Sequence, residues 1–166
     1  MSDFVAGPYT ATYDGTDLGL TTQGFTVSHE FFKRMITGDQ FGDGPVNAVY
    51  RGRAQFVEFE SLEAEKAGVY ALAEPYGSTG TNLISGNIGQ FDVATGNETG
   101  TCAGVAKQLI LTKVATSCAT PVSLTFPLCI LAEGYPVRAL YGQDLRTIPL
   151  RMRVYPNASG LFGTRT

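Results

Sequence analysis

The sequence predicts an all-β domain with one flanking helix, and three features of the chain indicate this class. Apolar and polar residues alternate with a period of two along several segments, as in strands that bury one face of a sheet. Charged residues make up 16% of the chain, against a typical ~25%. In addition, 20 of the 166 residues are glycine. Few charges and many glycines suggest β-strands joined by long loops.

The alternation is clearest at 25–31, 122–130 and 148–154. In the last segment, the apolar residues at 148, 150, 152 and 154 should face the core, and Arg151 and Arg153 should lie on the opposite face. Weaker candidates for strands are found at 9–13, 50–60, 88–94, 107–115 and 135–141.

One helix is predicted between Ser61 and Pro75. Ser61 is a suitable N-cap, Glu63 and Glu65 favour the N-terminal end of the helix, and Pro75 ends it. An apolar stripe along this segment, which could lie across a sheet, consists of Leu62, Val69 and Leu72.

The length favours one domain rather than two, and a chain of this size buries roughly 70% of its unfolded surface without needing metals or disulfides. Neither an internal repeat nor a linker divides the sequence. Residues 1–166 are therefore predicted to form a single domain. Segments 36–49 and 77–105 have loop composition and are predicted to be extended insertions.

The charge balance argues against a dedicated nucleic-acid-binding protein. There are 12 basic and 15 acidic residues, which give a net charge of −3. The acidic excess lies in residues 1–74, whereas residues 75–166 are net basic. This asymmetry is either incidental or orients copies that stack head to tail.

The first residues lack the basic and apolar regions of a signal peptide, so the chain is expected to stay in the cytoplasm where it is made. The most apolar stretch, 122–132, is too short to span a bilayer. Cys102, Cys118 and Cys129 are an odd number of cysteines at wide spacings, which indicates buried or inert thiols.

Residues for catalysis or metal binding are scarce. His29 is the only histidine, and one histidine with three scattered cysteines does not supply a zinc site. No GxSxG, P-loop or GxGxxG motif occurs. Glu58 and Glu60 are spaced like paired catalytic acids on a strand, but a solvated or lumen-facing strand is the simpler interpretation. We expect no enzymatic activity, no catalytic residues, no metal and no cofactor.

The order of the segments resembles that of bacteriophage tail tube proteins. The segments that carry this resemblance are a turn at 13–19 (YDGTDLG), a long strand at 24–33, a Gly/Asp/Pro loop at 38–48, a second long strand at 50–60, the single helix, and a closing strand at 146–156. Together they cover more than half of the chain. Residues 77–120 have no counterpart in this pattern.

The resemblance implies a β-sandwich with a flanking helix whose sheets join those of other subunits into a closed barrel within a hexameric ring. Rings would stack head to tail into the tail tube that conducts DNA during ejection. The implied partners are other copies of the chain, tape measure protein, tail terminator, baseplate or tip proteins and, in a contractile tail, sheath protein. The chain would be assembled in the host cytoplasm and located in the virion tail.

A channel for DNA should present acidic or small polar groups, because clustered cations bind phosphates. The candidates for lumen-facing residues are Thr26, Ser28, Glu30, Glu58 and Glu60. An ordinary solvated face explains these residues equally well. Arg151 and Arg153 are expected to lie away from the lumen, and DNA is expected to pass without specific binding.

The Gly/Asp/Pro loop is expected to contact a neighbouring subunit, because it is long for a hairpin and carries apolar residues. The residues assigned to this contact are Asp39, Phe41, Asp43, Pro45 and Val46.

Two alternatives remain open at this point. The chain could be a tail-terminator or tube-initiator ring protein, or a monomeric β-sandwich module for ligand binding or adhesion. The monomeric module accounts for the strands and the Gly/Thr-rich loops. It accounts less well for the long 38–48 loop and for the absence of tryptophan.

Overall fold

The computed structural model describes residues 8–38, 44–63, 66–73, 106–114, 122–134 and 147–166. The elements, in chain order, are β1 (Tyr9–Tyr13), β2 (Thr16–Asp17), β3 (Thr21–Thr37), β4 (Pro45–Ser61), α1 (Ala67–Ala73), β5 (Lys107–Lys113), β6 (Ser123–Leu131), β7 (Ile148–Tyr155) and β8 (Thr164–Arg165). All the strand pairs among them are antiparallel. The predicted class, all-β with one flanking helix, is confirmed.

The strands form one sheet in the order β2-β1-β5-β6-β7-β4-β3, and β8 pairs with β6. Buried side chains from β1 and from Leu18, which follows β2, lie at one end of this order and share a core with those of β4 and β7 near the other end. The sheet must therefore curve over itself, and its two halves pack face to face as in a β-sandwich. The Tyr13 hydroxyl donates a hydrogen bond to the Cys129 carbonyl oxygen at 3.0 Å, which ties β1 to β6.

Strand β7 shows how the alternation builds the core. Its residues alternate strictly between buried and partly buried along the whole strand. Ile148, Leu150, Met152 and Val154 are buried, as predicted. Arg151 and Arg153 lie on the opposite face, which is also as predicted, because successive side chains of a strand point to opposite sides.

The helix begins later than the sequence predicts. Ser61 is the last residue of β4 and is fully buried, and its hydroxyl accepts a hydrogen bond from the Glu63 amide at 3.2 Å. It closes a turn after the strand, and the helix starts at Ala67. The prediction that Ser61 caps the helix is therefore wrong, because the chain needs several residues to leave the sheet before the helix can start. Glu65 and Pro75 lie outside the described residues.

The apolar stripe of the helix is confirmed for Val69 and Leu72, which are buried in the main core. Leu62, the third predicted member, precedes the helix and is only partly buried. The helix contacts β1, β2 and β6, so it covers the core at the β1–β2 side.

The predicted loop at 36–49 is shorter than expected. Strand β3 continues to Thr37 and β4 begins at Pro45, with Met35 paired to Ala48 and Ile36 to Asn47. The two strands are longer than predicted because their backbone pairing continues past the residues in which apolar and polar side chains alternate clearly. The other predicted loop, 77–105, and the predicted strands at 88–94 and 135–141 lie outside the described residues.

No helix among the residues described is long and apolar enough to cross a bilayer.

Replacing Leu150 with Ala should lower the free energy of unfolding by about 2–5 kcal/mol, because Leu150 is 1% exposed and its removal leaves a cavity. Chemical denaturation of the wild-type chain and the variant measures this change. The matched control is Leu161→Ala, at a leucine that is 48% exposed, which should change stability by less than ~0.5 kcal/mol. Equal effects at the two positions would contradict the core assignment.

Candidate assembly surface

The distal half of the β3–β4 hairpin extends beyond the rest of the sheet. Residues 55–61 of β4 pair with both β3 and β7, whereas residues 45–53 pair with β3 alone. We call residues 29–37 of β3 and 45–53 of β4 the arm. Within the described part of the chain, no third strand pairs with either edge of the arm. Among the described residues, the arm is therefore a two-stranded ribbon in which neither strand has a second strand partner.

A β-bulge marks the base of the arm. The register shifts between Phe32 and Lys33, where Arg51 is the extra residue on β4. Gly52, beside the bulge, has a φ of 141°, a conformation that side chains rarely adopt. Bulges bend a strand and increase its local twist. The bulge and the glycine thus give the arm its own direction, separate from the body of the sheet.

Apolar side chains lie on both faces of the arm. The face continuous with the core-facing side of β3 carries Phe31, Met35 and Tyr50, and the opposite face carries Phe32, Ile36 and Val49. Each of these side chains is between 43% and 61% exposed. An isolated two-stranded ribbon is marginal in water, and contiguous exposed apolar surface marks interaction sites. The arm is thus the strongest candidate for a contact surface in the described part of the chain.

Arg151 contacts the arm at its base, which is the end next to β7, on the face opposite the core. It lies on β7, and its Nη2 donates a hydrogen bond to Glu30 Oε1 at 3.5 Å. Its Nε lies 3.0 Å from Glu58 Oε1 but makes no hydrogen bond among the described residues, so this contact is an ion pair. The guanidinium also lies 4.1 Å from the ring centroid of Phe56, which forms a small second buried cluster with Ala54 and Ala132.

Arg53 makes a contact at the base of the arm on the opposite side, the one continuous with the core-facing side of β3. Its guanidinium carbon lies 4.6 Å from the ring centroid of Phe162, and Phe162 packs against the main core. Phe162 belongs to the segment between β7 and β8, whose turn is stabilised by Asn157 Oδ1 accepting hydrogen bonds from the amides of Ser159 and Leu161. The arm is therefore held at its base by cation–π contacts on both faces.

The five predicted lumen residues lie on one face of the sheet, opposite the core. Pairing of Thr26 with Glu58, and alternation along both strands, place Ser28, Glu30 and Glu60 on the same side. The structure thus places the five residues on a single face of the sheet. That this face lines a channel stays a prediction.

The expected separation of Arg151 from these carboxylates is wrong. Arg151 lies on the same face and is paired with Glu30 and Glu58. Arg153 is on this face as well and forms an ion pair with Glu133. The physical reason is alternation itself, since every residue of β7 that points away from the core shares its face with Glu58. The polar surface is therefore a network of paired charges and not a purely acidic wall.

Glu60 is the remaining acidic residue of this surface. Hydrogen bonds from the Thr147 and Thr22 hydroxyls lower the pKa of its carboxyl group, and the Thr22 Oγ1 donor lies 3.0 Å from Oε2. Nearby, an open depression of about 290 Å³ is lined by residues that include Gly24, Glu58 and Glu60. Because Glu58 is paired with Arg151 and Glu60 with hydroxyls, the two are not arranged as a catalytic pair.

The other residues considered for catalysis or metal binding do not form a site among the described residues. No group of three or more His, Cys, Asp or Glu side chains that could hold a metal occurs in the described ranges. His29 is exposed at the start of the arm. Cys129 is fully buried, as expected at this position, and burial raises the pKa of its thiol. Cys102 and Cys118 lie outside the described residues.

Of the predicted contact residues, Pro45 and Val46 begin β4 and are exposed on the arm. Asp39, Phe41 and Asp43 lie outside the described residues. The sequence prediction missed the apolar residues of the two arm strands. The signal was present in the adjacent pairs Phe31-Phe32 and Met35-Ile36, because neighbours in a strand point to opposite faces.

Comparison with known proteins gives a similarity in structure but not in sequence. The sequence matches no protein-family model and no curated protein. Among solved structures, Hcp1 from Flavobacterium johnsoniae is similar with a TM-score of 0.45 and 11% sequence identity, over 89% of each chain.

Replacing Arg151 with Ala should loosen the arm, because it removes the contacts with Glu30 and Glu58. The side chain is 33% exposed, so the expected loss is at most about 1 kcal/mol. Hydrogen exchange should become roughly fivefold faster for the amides of residues 29–34. Arg153→Ala is the matched control, since Arg153 lies on the same strand and face but pairs with Glu133. Unchanged exchange in the arm of the Arg151 variant would refute this role.

Proposed function

We propose that the chain is a structural subunit that assembles with copies of itself into rings, and that the rings stack into a tube. The arm carries this proposal. Among the described residues it has exposed apolar side chains on both faces and no third strand at either edge, so neighbouring copies can contact it on several sides at once. A ring that stacks on other rings supplies such neighbours, whereas a monomer supplies none. The low charge content of the chain also suits a subunit with little free surface.

In its specific form, the proposal is that this tube is the tail tube of a bacteriophage. The order of turn, strands, helix and closing strand supports it through its resemblance to tail tube proteins. The subunits would form hexameric rings, assemble in the host cytoplasm and reside in the virion tail. The tube would contain tape measure protein, end at terminator and baseplate or tip proteins, and conduct DNA. In this role the chain acts mechanically and is not an enzyme.

The assembly proposal is tested with the arm variant Phe31→Ser/Met35→Ser/Tyr50→Ser, which removes the apolar residues from one face. The three side chains are largely exposed, so the folded monomer should be retained. The wild-type chain should form rings or tubes in electron micrographs and sediment as oligomers, and the variant should stay monomeric. The control is Val114→Ser, an exposed apolar residue outside the arm. A monomeric wild-type chain at micromolar concentration would refute self-assembly and favour the monomeric binding module.

We further propose that the face with Thr26, Ser28, Glu30, Glu58 and Glu60 lines the channel. Arg151 is compatible with a channel for DNA because two carboxylates already occupy its guanidinium. A cation neutralised in this way offers little to a phosphate group. The channel would then stay free of DNA binding through charge pairing and not through the absence of cations.

This channel hypothesis predicts that Glu30→Gln/Glu58→Gln releases the Arg151 guanidinium toward the lumen. Assembled tubes of this variant should bind DNA in a salt-sensitive manner, because each ring repeats the exposed cation. Retention of labelled DNA by purified tubes, measured between 50 and roughly 200 mM salt, provides the readout. Asp14→Asn is the control, as it removes one carboxylate from an exposed turn. If the control retains as much DNA as the variant, this face does not line the channel.

A further inference from the structure

Strands β7 and β8 lie in one row beside β6, and the chain leaves this row between them. Strand β7 ends opposite Leu128 of β6, and β8 begins opposite Thr125. The eight residues 156–163 between the two strands therefore stand opposite only two residues of β6. A direct continuation of the strand would need no more residues than β6 has there, so the chain makes an excursion and returns. We call residues 156–163 the strap.

Hydrogen bonds and a close approach to β6 hold the strap in place. The Asn157 amide donates a hydrogen bond to the Leu161 carbonyl oxygen at 2.9 Å, and the Gly160 amide donates one to the Asn157 carbonyl oxygen at 2.8 Å. At the other end, a Cβ atom on Gly163 would lie 3.1 Å from the Thr125 carbonyl oxygen, so the backbone passes closer to β6 than most side chains allow. The strap is therefore anchored to the body of the molecule.

Phe162 joins the strap to the arm. It packs against the main core, and the Arg53 guanidinium carbon lies 4.6 Å from its ring centroid. Arg53 lies between the two points that set the direction of the hairpin. The pairing of β4 with β7 ends at Gln55, and the register shift follows Gly52. The contact thus holds the two-stranded ribbon where it leaves the sheet.

The direction of the arm matters for assembly because a neighbouring copy receives the arm in one orientation. An arm that samples several directions binds with an apparent affinity that is reduced by the fraction of time spent in the competent one. A contact that keeps the free monomer in that direction removes this cost in advance. Arg53 is exposed and Phe162 is partly buried, so their contact acts on the arm more than on the stability of the core.

We propose that Phe162 and Arg53 are positioning residues for self-assembly, and that the strap holds the arm at the angle at which a second copy receives it. This inference rests on the proposed function, because it concerns the same arm. It applies to every contact that the arm makes, within a ring and between rings. It also gives a reason for the excursion, since a direct connection from β7 to β8 would place no ring beside Arg53.

The test removes the contact from each side and keeps the size of the side chains similar. Arg53→Met removes the cation, and Phe162→Leu removes the ring but leaves an apolar group on the core. Each variant should raise the critical concentration for assembly, measured by light scattering, about two- to fivefold, which corresponds to the usual strength of an exposed cation–π contact. The double variant should match the single variants, because all three lose the same contact. Arg53→Lys keeps a cation and should lie closer to the wild-type chain than Arg53→Met.

Two controls separate positioning from folding and from charge. Arg153→Met removes the cation of another cation–π contact, in which the guanidinium carbon lies 5.4 Å from the Tyr155 ring centroid, and should leave the critical concentration unchanged. Leu150→Ala lowers the stability of the core outside the arm, and it should also assemble normally while circular dichroism shows it folded. Should Phe162→Leu fail to fold, Phe162→Met replaces it, and the Arg53 variants test the contact from its exposed side.

Several results would overturn the positioning role while leaving self-assembly intact. An unchanged critical concentration in Arg53→Met and Phe162→Leu is one, and additive effects in the double variant are another. An equal rise in Arg153→Met or Leu150→Ala would assign the effect to charge or to stability. Loss of assembly at every concentration would place the two residues in the contact with the neighbouring copy itself. A wild-type chain that forms neither rings nor tubes refutes the proposed function.

Discussion

The structure depends on β4 belonging to two different environments. From Gln55 to Ser61 it is an inner strand between β3 and β7, and its core-facing side chains are buried. From Pro45 to Arg53 it pairs with β3 alone among the described strands and exposes apolar side chains on both faces. The bulge between these halves, and the contacts of Arg53 and Arg151 at the base, set the direction of the arm. Strand β4 thus stabilises the core with one half and forms part of the arm, the proposed contact surface, with the other.

The energetics of the arm favour many weak contacts over one strong contact. Burying its half-exposed apolar side chains would contribute roughly 5–10 kcal/mol at the usual value for a buried apolar residue. Association of two copies costs an estimated 4–15 kcal/mol in lost translational and rotational freedom. A single pair of copies joined by the arm is therefore marginal. In a ring, the copies dock together and share this cost, so the same contact becomes effective when it is repeated.

Alternation predicted the strands well where one face is buried, as in β7, because the periodicity reports burial directly. It did not predict the full length of the strands where apolar side chains stay exposed in a single chain. The strands predicted at 24–33 and 50–60 include part of the arm, but 36–49 was predicted as a loop, because adjacent apolar residues such as Met35-Ile36 break the alternation that marks a half-buried strand. The position of Arg151 opposite Glu58 depends on strand order, which local sequence does not contain. The misassigned cap at Ser61 has a similar cause, because a serine that closes a turn and one that caps a helix look alike in sequence.

The charge asymmetry of the molecule follows from topology and not from the two halves of the sequence. Residues 1–74 are net acidic, yet four of their five basic residues lie on the arm, and Lys66 is the fifth. An antiparallel hairpin returns the chain to its starting point, so Asp17 before β3 and Glu63 after β4 come to the same end, while Arg34 and Arg51 meet at the other. Averaging over the sequence hides this polarity, because both ends of the hairpin contribute to the same half. Among the described residues, the cations of this hairpin therefore lie at its arm end and the carboxylates of Asp17 and Glu63 at the other, while Asp39 and Asp43 belong to the connecting segment outside the described residues.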